Sequence, residues 1–273
     1  MSIITISRQI AAYGDEVASA LAGSLGYSFV NRNLLEQDLL ALGLAPDKLQ
    51  KYDERKPGFW ASLARDRDEY FDFLRQAVLE RAKDGNCVFI GRGGFAILKD
   101  VPGSYAVRLI ASDSVRVYRL MQEFSWPEKK AQALMQESDE NRRGFHKCFF
   151  NLDHDESSSY HLVINTDTIT SETAAEMIRY SASLAMTVEQ ETAGVKRIHE
   201  LLEAQKLVNH IVFELKLPVH FLEASSDENE IILHGVADSA SVIESALAVA
   251  RSFVPGKKIT SAISIVQDYK SYP

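Results

Sequence analysis

Cysteine is scarce in this sequence, and long apolar runs are missing. The 273 residues include two cysteines, Cys87 and Cys148, and no CxxC pair, which argues against a disulfide framework and a cysteine-based zinc site. No apolar run reaches the roughly 18 residues that a membrane-spanning helix needs. The opening letters MSIITISRQ also lack the basic and apolar regions of a secretory signal. We therefore expect a cytoplasmic protein with no transmembrane segment.

Positive charge is also in short supply. Lysine and arginine total 30 against 38 acidic residues, so the formal net charge is −8. Nucleic acids select proteins with an excess of Lys and Arg, so this balance argues against a nucleic-acid partner. It does not exclude a small basic pocket for a nucleotide. With 46% hydrophobic and 25% charged residues, the chain has the composition of a globular protein with a real core.

Strand and helix patterns alternate over residues 1–190. Such alternation predicts an α/β domain with a mainly parallel sheet. A charged, irregular zone is expected to follow the helical pattern that ends near residue 136. Apolar β-branched runs predict strands at 3–7, 27–32, 86–94, 105–112 and 161–167, and helical spacing predicts helices at 14–25, 61–83, 113–136 and 171–190.

The pattern changes after residue 190. A helix is predicted over 192–215, followed by a strand, a strand, a helix and a closing strand. This order predicts a small second α+β domain. We therefore divide the chain into domains at 1–190 and 191–273.

Arginines and glycines collect where the predicted parallel strands end. Arg8 and Arg32 each follow a strand, and Arg92 follows a third strand beside Gly93. Ligands of parallel sheets bind beyond the carboxyl ends of the strands. Guanidinium groups bind phosphate through paired hydrogen bonds, so the set predicts a phosphate site. The alternative is that each arginine pairs with a nearby acid on a solvated rim.

The stretch ISRQIAAYGDEVASALAGSLG, residues 6–26, has the layout of a phosphate-binding loop: a strand, a turn and a helix. The standard loop is GxxxxGK[ST]. Here the turn has one glycine, Gly14, and no lysine, and Glu16 stands near the position of the Ser or Thr. An ordinary strand-to-helix turn therefore remains the alternative.

Further arginines lie in the second half of the first domain. Arg116 and Arg119 are three residues apart on one predicted helix, so they share a face. Arg142 and Arg143 follow in the charged zone. Positioned cations of this kind stabilise a transferring phosphoryl group, whereas a solvated helical face is the alternative. The scattered histidines match no metal-ligand spacing, so no metal site of the protein's own is predicted.

Over residues 3–185 the sequence resembles the cytidylate kinase-like family of bacteria, which is similar to the nucleoside monophosphate kinases. The resemblance lies in the order and spacing of several segments. These are ITISRQ, GDEVASALAGSLGYSFVNRNLL, CVFIGRGGFAIL, VRLIAS, VRVYRLM, SDENRRGFHKCFF and YHLVINTDTITSETAAEMI.

The resemblance implies a P-loop α/β domain with a lid. It also implies transfer of the γ-phosphoryl group of ATP to a pyrimidine nucleoside monophosphate (CMP or dCMP), with Mg²⁺. Asn165–Asp167 would border the ATP base. The other implied roles are ATP binding for Ser7, Arg8, Gly14, Asp15, Glu16, Arg116 and Arg119, acceptor binding for Arg32, Arg92 and Gly93, and catalysis for Asp139, Arg142 and Arg143.

Two departures from the family pattern fall in the loop and beside Arg32. The family commonly has a loop such as GSGGR, and this chain has AAYGD at 11–15, where side chains at 11–13 are expected to crowd the backbone amides. Asn31 stands where an aspartate is usual. These departures predict weakened ATP binding. A catalytically inactive nucleotide-binding regulator is therefore the second hypothesis.

The last part of the chain resembles a BON domain. The resemblance rests on IILHGVADS with Gly235 at a turn, the helix that follows, and Pro255–Gly256 before a final β-branched strand. It implies an interaction module that contacts a protein or a lipid surface.

Overall fold

The computed structural model describes residues 2–52 and 64–266. The chain forms two compact units, Met1–Val195 and Lys196–Pro273. The predicted boundary at residue 190 lies within the long helix α9, Val188–Asn209, which crosses this division. No helix within the described ranges combines the length and the apolar character needed to cross a membrane.

The first unit contains a five-stranded parallel sheet in the order β2-β3-β1-β4-β5. The strands are β1 Ile3–Arg8, β2 Ser28–Val30, β3 Cys87–Ile90, β4 Ser104–Ile110 and β5 Leu162–Asn165. The helices that accompany them are α1 Gly14–Leu25, α2 Arg32–Ala41, α3 Pro46–Lys51, α4 Ala64–Ala82, α5 Gly94–Ile97, α6 Asp113–Phe124, α7 Glu128–Phe150 and α8 Ser171–Ala185. The predicted α/β class with a parallel sheet is confirmed.

The main core lies between the sheet and the helices α1 and α8. Val17 and Leu21 of α1 and Ile178 of α8 are fully buried against Ile6 and Val107 of the two central strands. All six residues of β1 are buried, as expected for a central strand covered on both faces. This packing fixes β1 and the start of α1, and it thereby fixes the loop between them.

The charged zone that was expected to be irregular is helical. Helix α6 ends at Phe124, where Ser125 adopts a left-handed conformation and Pro127 follows, and α7 then runs from Glu128 to Phe150. Ala131, Met135 and Phe145 recur on one face of α7 and are buried. Tertiary packing of this face stabilises the helix, whose many charged residues make it hard to recognise in the sequence.

In the region between α2 and α4, residues 53–63 lie outside the described residues.

The second unit is a three-stranded mixed sheet with helices. The strands are β6 Val219–Ser226, β7 Glu230–Ala237 and β8 Lys258–Ile265, with α10 Ala240–Phe253 between the last two. β6 and β7 are antiparallel, whereas β7 and β8 are parallel. The predicted order of strand, strand, helix and strand is found, and the helix before it continues from α9 through a π-helical turn, His210–Glu214.

Candidate functional site

The loop between β1 and α1 has the backbone conformation that glycines usually provide. Ala11 and Tyr13 both have φ of 58°, in the left-handed region. This conformation costs a residue with a side chain about 1–2 kcal/mol, and such strain is often found at functional sites. Both residues stand at positions where a glycine-rich phosphate loop has glycine. The loop therefore keeps the backbone shape and carries side chains in addition.

The side chains of the loop have different surroundings. The Ala12 methyl is buried in the main core, beneath the loop. The guanidinium of Arg119 lies over the Tyr13 ring, and its Cζ atom is 3.7 Å from the ring centroid. The crowding expected at positions 11–13 thus does not apply to Ala12.

A single substitution tests the strain in this loop. Ala11→Gly removes the left-handed penalty but adds backbone entropy to the unfolded chain, so we expect the free energy of unfolding to rise by about 0.5–1 kcal/mol. Urea denaturation measures the change. Gly23→Ala in the last turn of α1 is the matched reverse change, because a Cβ there meets no atom within 4 Å. A destabilised Ala11→Gly protein would contradict the strain argument.

The two arginines of α6 hold the loop from the side. Arg119 donates to the carbonyls of Ala11 (2.9 Å) and Thr166 (2.6 Å). Arg116 donates from Nε to the carbonyl of Ile10 (3.0 Å). The sequence expectation that these two arginines share a face is met, and both contact the loop.

Arg116 also joins the loop to α7. Its Nη2 donates to both carboxylate oxygens of Asp139 at 2.7 Å, and its side chain is 1% exposed. Asp113, which is largely exposed, lies 3.3 Å from the same guanidinium. The family resemblance implies ATP binding for Arg116 and catalysis for Asp139, and in the structure these two residues form an ion pair with each other.

The first turn of α1 combines a buried glycine with two exposed acids. A Cβ at Gly14 would lie 2.5 Å from Cγ of Arg8, so the Arg8 side chain crosses the helix start in close contact. Asp15 and Glu16 are exposed there. Acidic residues at a helix N-terminus interact favourably with its dipole. Their carboxylate oxygens are also the type of ligand that Mg²⁺ prefers.

On the other side of β1, Arg32 and Arg92 converge on one oxygen atom. Glu36 Oε1 accepts from Arg32 Nε at 2.5 Å and from Arg92 Nη2 at 2.6 Å. Arg32 begins α2, where the side chain of Asn31 caps the helix by accepting from the Leu34 N–H. These two arginines therefore lie at one carboxylate, so each pairs with a nearby acid, as in the alternative interpretation of the sequence.

Arg92 is buried in an aromatic cluster. It is 2% exposed, has a left-handed φ of 52°, and donates to the Tyr70 hydroxyl at 2.9 Å. The neighbouring Gly93 packs against α7, since a Cβ there would lie 2.2 Å from the ring of Phe150. Tyr52 and Tyr70, which contact its guanidinium, belong to a cluster of rings that also contains Phe71, Phe145, Phe149 and Phe150.

Sequence reasoning missed Arg108, which lies in the middle of β4. Its buried guanidinium donates to the Ser7 hydroxyl at 3.1 Å and to the carboxylate of Asp155. It also lies over the ring of Tyr160, and burial raises the pKa of that phenol. The signal in the sequence was an arginine inside the apolar run YAVRLI.

Arg142 and Arg143 are adjacent on α7 and have different surroundings. Arg142 is buried, and its carbonyl accepts from His146 Nδ1 at 2.8 Å. Arg143 is exposed, with Nη2 3.5 Å from Asp155. Arg143 therefore extends the chain of contacts that joins Ser7, Arg108 and Asp155.

Possible ligands of a metal ion occur at one place in the described part of the chain. Ligand atoms of Asp153, His154 and Asp155 lie within 4.8 Å of one another. Asp155 already pairs with Arg108 and lies near Arg143. These cations compete with any metal ion for its carboxylate.

The end of β5 meets the start of α6. The Asp167 carboxylate accepts from the Ser112 N–H at 2.7 Å, and this hydrogen bond lowers the pKa of Asp167. The side chain of Asn165 accepts from the Asp167 N–H at 2.9 Å. The segment Asn165–Asp167 therefore lies beside the helix that carries Arg116 and Arg119.

Hydrogen bonds bring the two sides of the site to one edge of the sheet. Gly91 N–H, after β3, donates to the Ile6 carbonyl at 3.0 Å, and Gln9 N–H donates to the Leu109 carbonyl at 3.0 Å. The turn that carries Arg92 and the loop after β1 are therefore neighbours. Strand ends of a parallel sheet are the usual place for a ligand.

Comparison with known sequences identifies a family over this unit. Residues 3–168 match the sequence profile of the family described as "Cytidylate kinase-like family". No curated protein matches the chain.

Solved structures give a fold comparison. An uncharacterized protein from Eubacterium ventriosum ATCC 27560 superposes with a TM-score of 0.52 at 21% identity, covering 67% of this chain and 99% of that chain. A gluconokinase from Sinorhizobium meliloti 1021 has a TM-score of 0.42 at 19% identity, covering 67% and 93%. A shikimate kinase from Bacteroides thetaiotaomicron has a TM-score of 0.39 at 12% identity, covering 67% and 97%. At 21% identity, the similarity to the Eubacterium ventriosum protein supports the fold and not a function. The TM-scores of the two kinases are too low to support either.

Proposed function

The chain belongs to the cytidylate kinase-like family, and we propose that it transfers the γ-phosphoryl group of ATP to a pyrimidine nucleoside monophosphate such as CMP or dCMP. In this reaction an oxygen of the acceptor phosphate forms a bond to the γ-phosphorus. The bond from the γ-phosphorus to the bridging oxygen of ADP breaks, and ADP leaves. The observation that carries the proposal is the loop Gln9–Tyr13, which keeps left-handed backbone at Ala11 and Tyr13 although neither is glycine.

In this proposal the donor side is the loop with α1 and α6. Backbone N–H groups at the start of α1 bind phosphate oxygens, as helix N-termini do. Arg116 and Arg119 hold the carbonyls of Ile10 and Ala11 and so orient the loop. The exposed carboxylates of Asp15 and Glu16 suit a magnesium ion that accompanies ATP. Such an ion, when bound, neutralises charge on the phosphates.

The acceptor side in this proposal is the pair Arg32 and Arg92. Their guanidinium groups already share one anionic oxygen, which is the arrangement that a phosphate monoester requires. The Arg92 side chain is 2% exposed, so its hydrogen bond to that oxygen is stronger than it would be in solvent, whereas the Arg32 side chain is about a third exposed. The catalytic roles in this proposal belong to Asp139, Arg142 and Arg143 of α7.

A catalytically inactive nucleotide-binding regulator is the second candidate. It is favoured by the pairing of Arg116 with both carboxylate oxygens of Asp139, which neutralises a cation beside the loop. The absence of a lysine from the loop points the same way. In this case the protein binds a nucleoside monophosphate and does not turn over ATP.

A coupled-enzyme assay with ATP, Mg²⁺ and CMP or dCMP tests the first candidate. We expect Arg32→Ala to raise KM for CMP about tenfold, because a charge-assisted hydrogen bond contributes about 1.5–3 kcal/mol. Arg81→Ala is the matched control. Arg81, on α4, forms a bidentate ion pair with Asp38, which lies on α2 as Arg32 does. We expect the kinetics of the Arg81→Ala variant to match those of the wild type. The regulator would be supported if the protein shows no turnover and calorimetry detects binding of CMP but not of ATP.

We also propose that the second unit is an interaction module of the BON type in a cytoplasmic protein. Its order of elements supports this, as does Phe221, which is 72% exposed and has left-handed backbone at a bulge of β6. Bulges at sheet edges change the direction of a side chain, and in this proposal the Phe221 ring contacts the partner. Co-sedimentation of the whole chain with phosphatidylcholine vesicles, compared with Phe221→Ser, distinguishes a lipid surface from a protein partner.

A further inference from the structure

The outer face of α8 exposes three large apolar side chains in a row. Met177 is 41% exposed, Tyr180 66% and Leu184 69%. Because they are spaced by three and then four residues, they lie on one face of the helix, one above the other. We call this face the α8 stripe.

The α8 stripe lies opposite the face of the helix that packs in the main core. The core residues of α8 are Ala174, Ala175, Ile178 and Ala182. At about 3.6 residues per turn, these positions lie on the other side of the helix from the stripe. The core is therefore packed without the three exposed side chains. A contiguous exposed apolar patch of roughly a few hundred Å² is often an interaction surface.

The charges beside the α8 stripe argue against a lipid surface as its partner. Over residues 171–191 the acids outnumber the bases by four to one. The one base, Arg179, donates from Nη2 to the Glu176 carboxylate at 2.6 Å. Helices that lie on membranes instead carry Lys and Arg beside their apolar face, because the lipid surface is anionic. The stripe therefore fits a protein partner better than a membrane.

The order of the side chains in the α8 stripe fits a second copy of the same helix running in the opposite direction. Tyr180 lies near the middle of the stripe, so a two-fold axis beside it brings Met177 of each copy opposite Leu184 of the other. The two Tyr180 rings then meet near the axis. In this register Glu176 lies opposite Ala185, and like charges do not meet. A parallel pair would instead bring the two Glu176 carboxylates together.

We propose that the α8 stripe is the interface through which two copies of this chain associate, with their α8 helices packed antiparallel about a two-fold axis. The inference does not depend on the proposed function. A stable interface buries roughly 800 Å² on each partner, and three side chains of this exposure supply roughly half of that area. We therefore expect a reversible dimer with a Kd of about 1–100 μM.

Sedimentation velocity of the whole chain, from about 1 μM to about 200 μM, tests the proposal. We expect the mass to rise from monomer to dimer over this range. Leu184→Glu places a carboxylate against Met177 at two symmetric positions, where it has no cation, so we expect it to raise Kd at least about tenfold. Tyr180→Ser should also weaken the dimer. Tyr118→Ser is the matched control, because Tyr118 on α6 is 62% exposed and lies outside the stripe.

A cysteine near the two-fold axis gives a second readout, which depends on the geometry of the pair. In Tyr180→Cys the two new thiols come within reach of each other, so mild oxidation should produce a covalent dimer in high yield. Tyr118→Cys is the control for random collisions. The wild type gives the background, since Cys87 is buried and Cys148 is half-buried.

The possible results either support or overturn the proposal. A wild-type chain that stays monomeric up to about 200 μM overturns it, and so does a dimer whose Kd is unchanged in Leu184→Glu. A Tyr180→Cys yield no higher than that of Tyr118→Cys overturns the antiparallel arrangement. Thermal melting shows whether Leu184→Glu is folded. If it is not, the milder Leu184→Ser must weaken the dimer, and an unchanged Kd in that variant would overturn the interface.

Discussion

Gly93→Ala is expected to destabilise the first unit by about 3 kcal/mol. The new Cβ would lie 2.2 Å from Cζ of Phe150 and 2.3 Å from Cε2, far inside van der Waals contact. The Phe150 ring packs against Phe71 and Phe145, so it cannot move without disturbing them. Such overpacking costs about 1–3 kcal/mol. Alanine at a φ of 68° adds about 1–2 kcal/mol.

Urea denaturation of the whole chain, followed by circular dichroism, measures this loss. Gly23→Ala is the control, since the same change in the last turn of α1 meets no atom within 4 Å and should stabilise the helix by about 0.5–1 kcal/mol. The opposite signs of two identical substitutions would exclude a general effect of the added methyl. A Gly93→Ala protein as stable as the wild type would show that α7 is not packed on the turn after β3.

The parallel sheet was predictable because local signals determine it. Short β-branched runs bounded by turns gave β1, β3 and β4, and helical spacing gave α1 and α8. In each case the apolar residues are consecutive or periodic, so the local pattern predicts which residues are buried. The extent of α7 was not predictable in this way. Its buried face includes Arg142 and His146, and a sequence pattern does not distinguish a buried Arg or His from a solvent-exposed one.

The arginines of the site show the same limit. Their collection at strand ends was visible in the sequence, because parallel strands end at one edge of the sheet. Their partners were only partly visible. Arg32 and Glu36 are four residues apart and readable as a helical pair. The approach of Arg92 to the same oxygen depends on β2, which precedes Arg32, lying beside β3, which precedes Arg92. The burial of Arg108 likewise depends on Asp155, 47 residues away.

Asp139→Asn is expected to lower the free energy of unfolding by about 2–3 kcal/mol. The change leaves the guanidinium of Arg116, 1% exposed, without its main counter-charge, and removing one partner of a buried pair costs about 3–5 kcal/mol. The lower figure applies because Asp139 is about a quarter exposed. Arg116→Met removes the buried charge itself and leaves a carboxylate that water can reach. We therefore expect Arg116→Met to cost less than Asp139→Asn.

A double-mutant cycle measured by urea denaturation tests this asymmetry. Once Arg116 is methionine, Asp139→Asn has no buried cation left to expose, so the double variant should be about as stable as Arg116→Met alone, with a coupling energy above about 1 kcal/mol. Asp113→Asn is the matched control, because Asp113 contacts the same guanidinium at 3.3 Å but is largely exposed, and screening by solvent should leave stability nearly unchanged. Additive losses in the cycle would mean that Arg116 and Asp139 stabilise the loop independently. Coupled losses would mean that α7 and the loop after β1 are held together by this ion pair, so that a ligand that contacts either also affects the other.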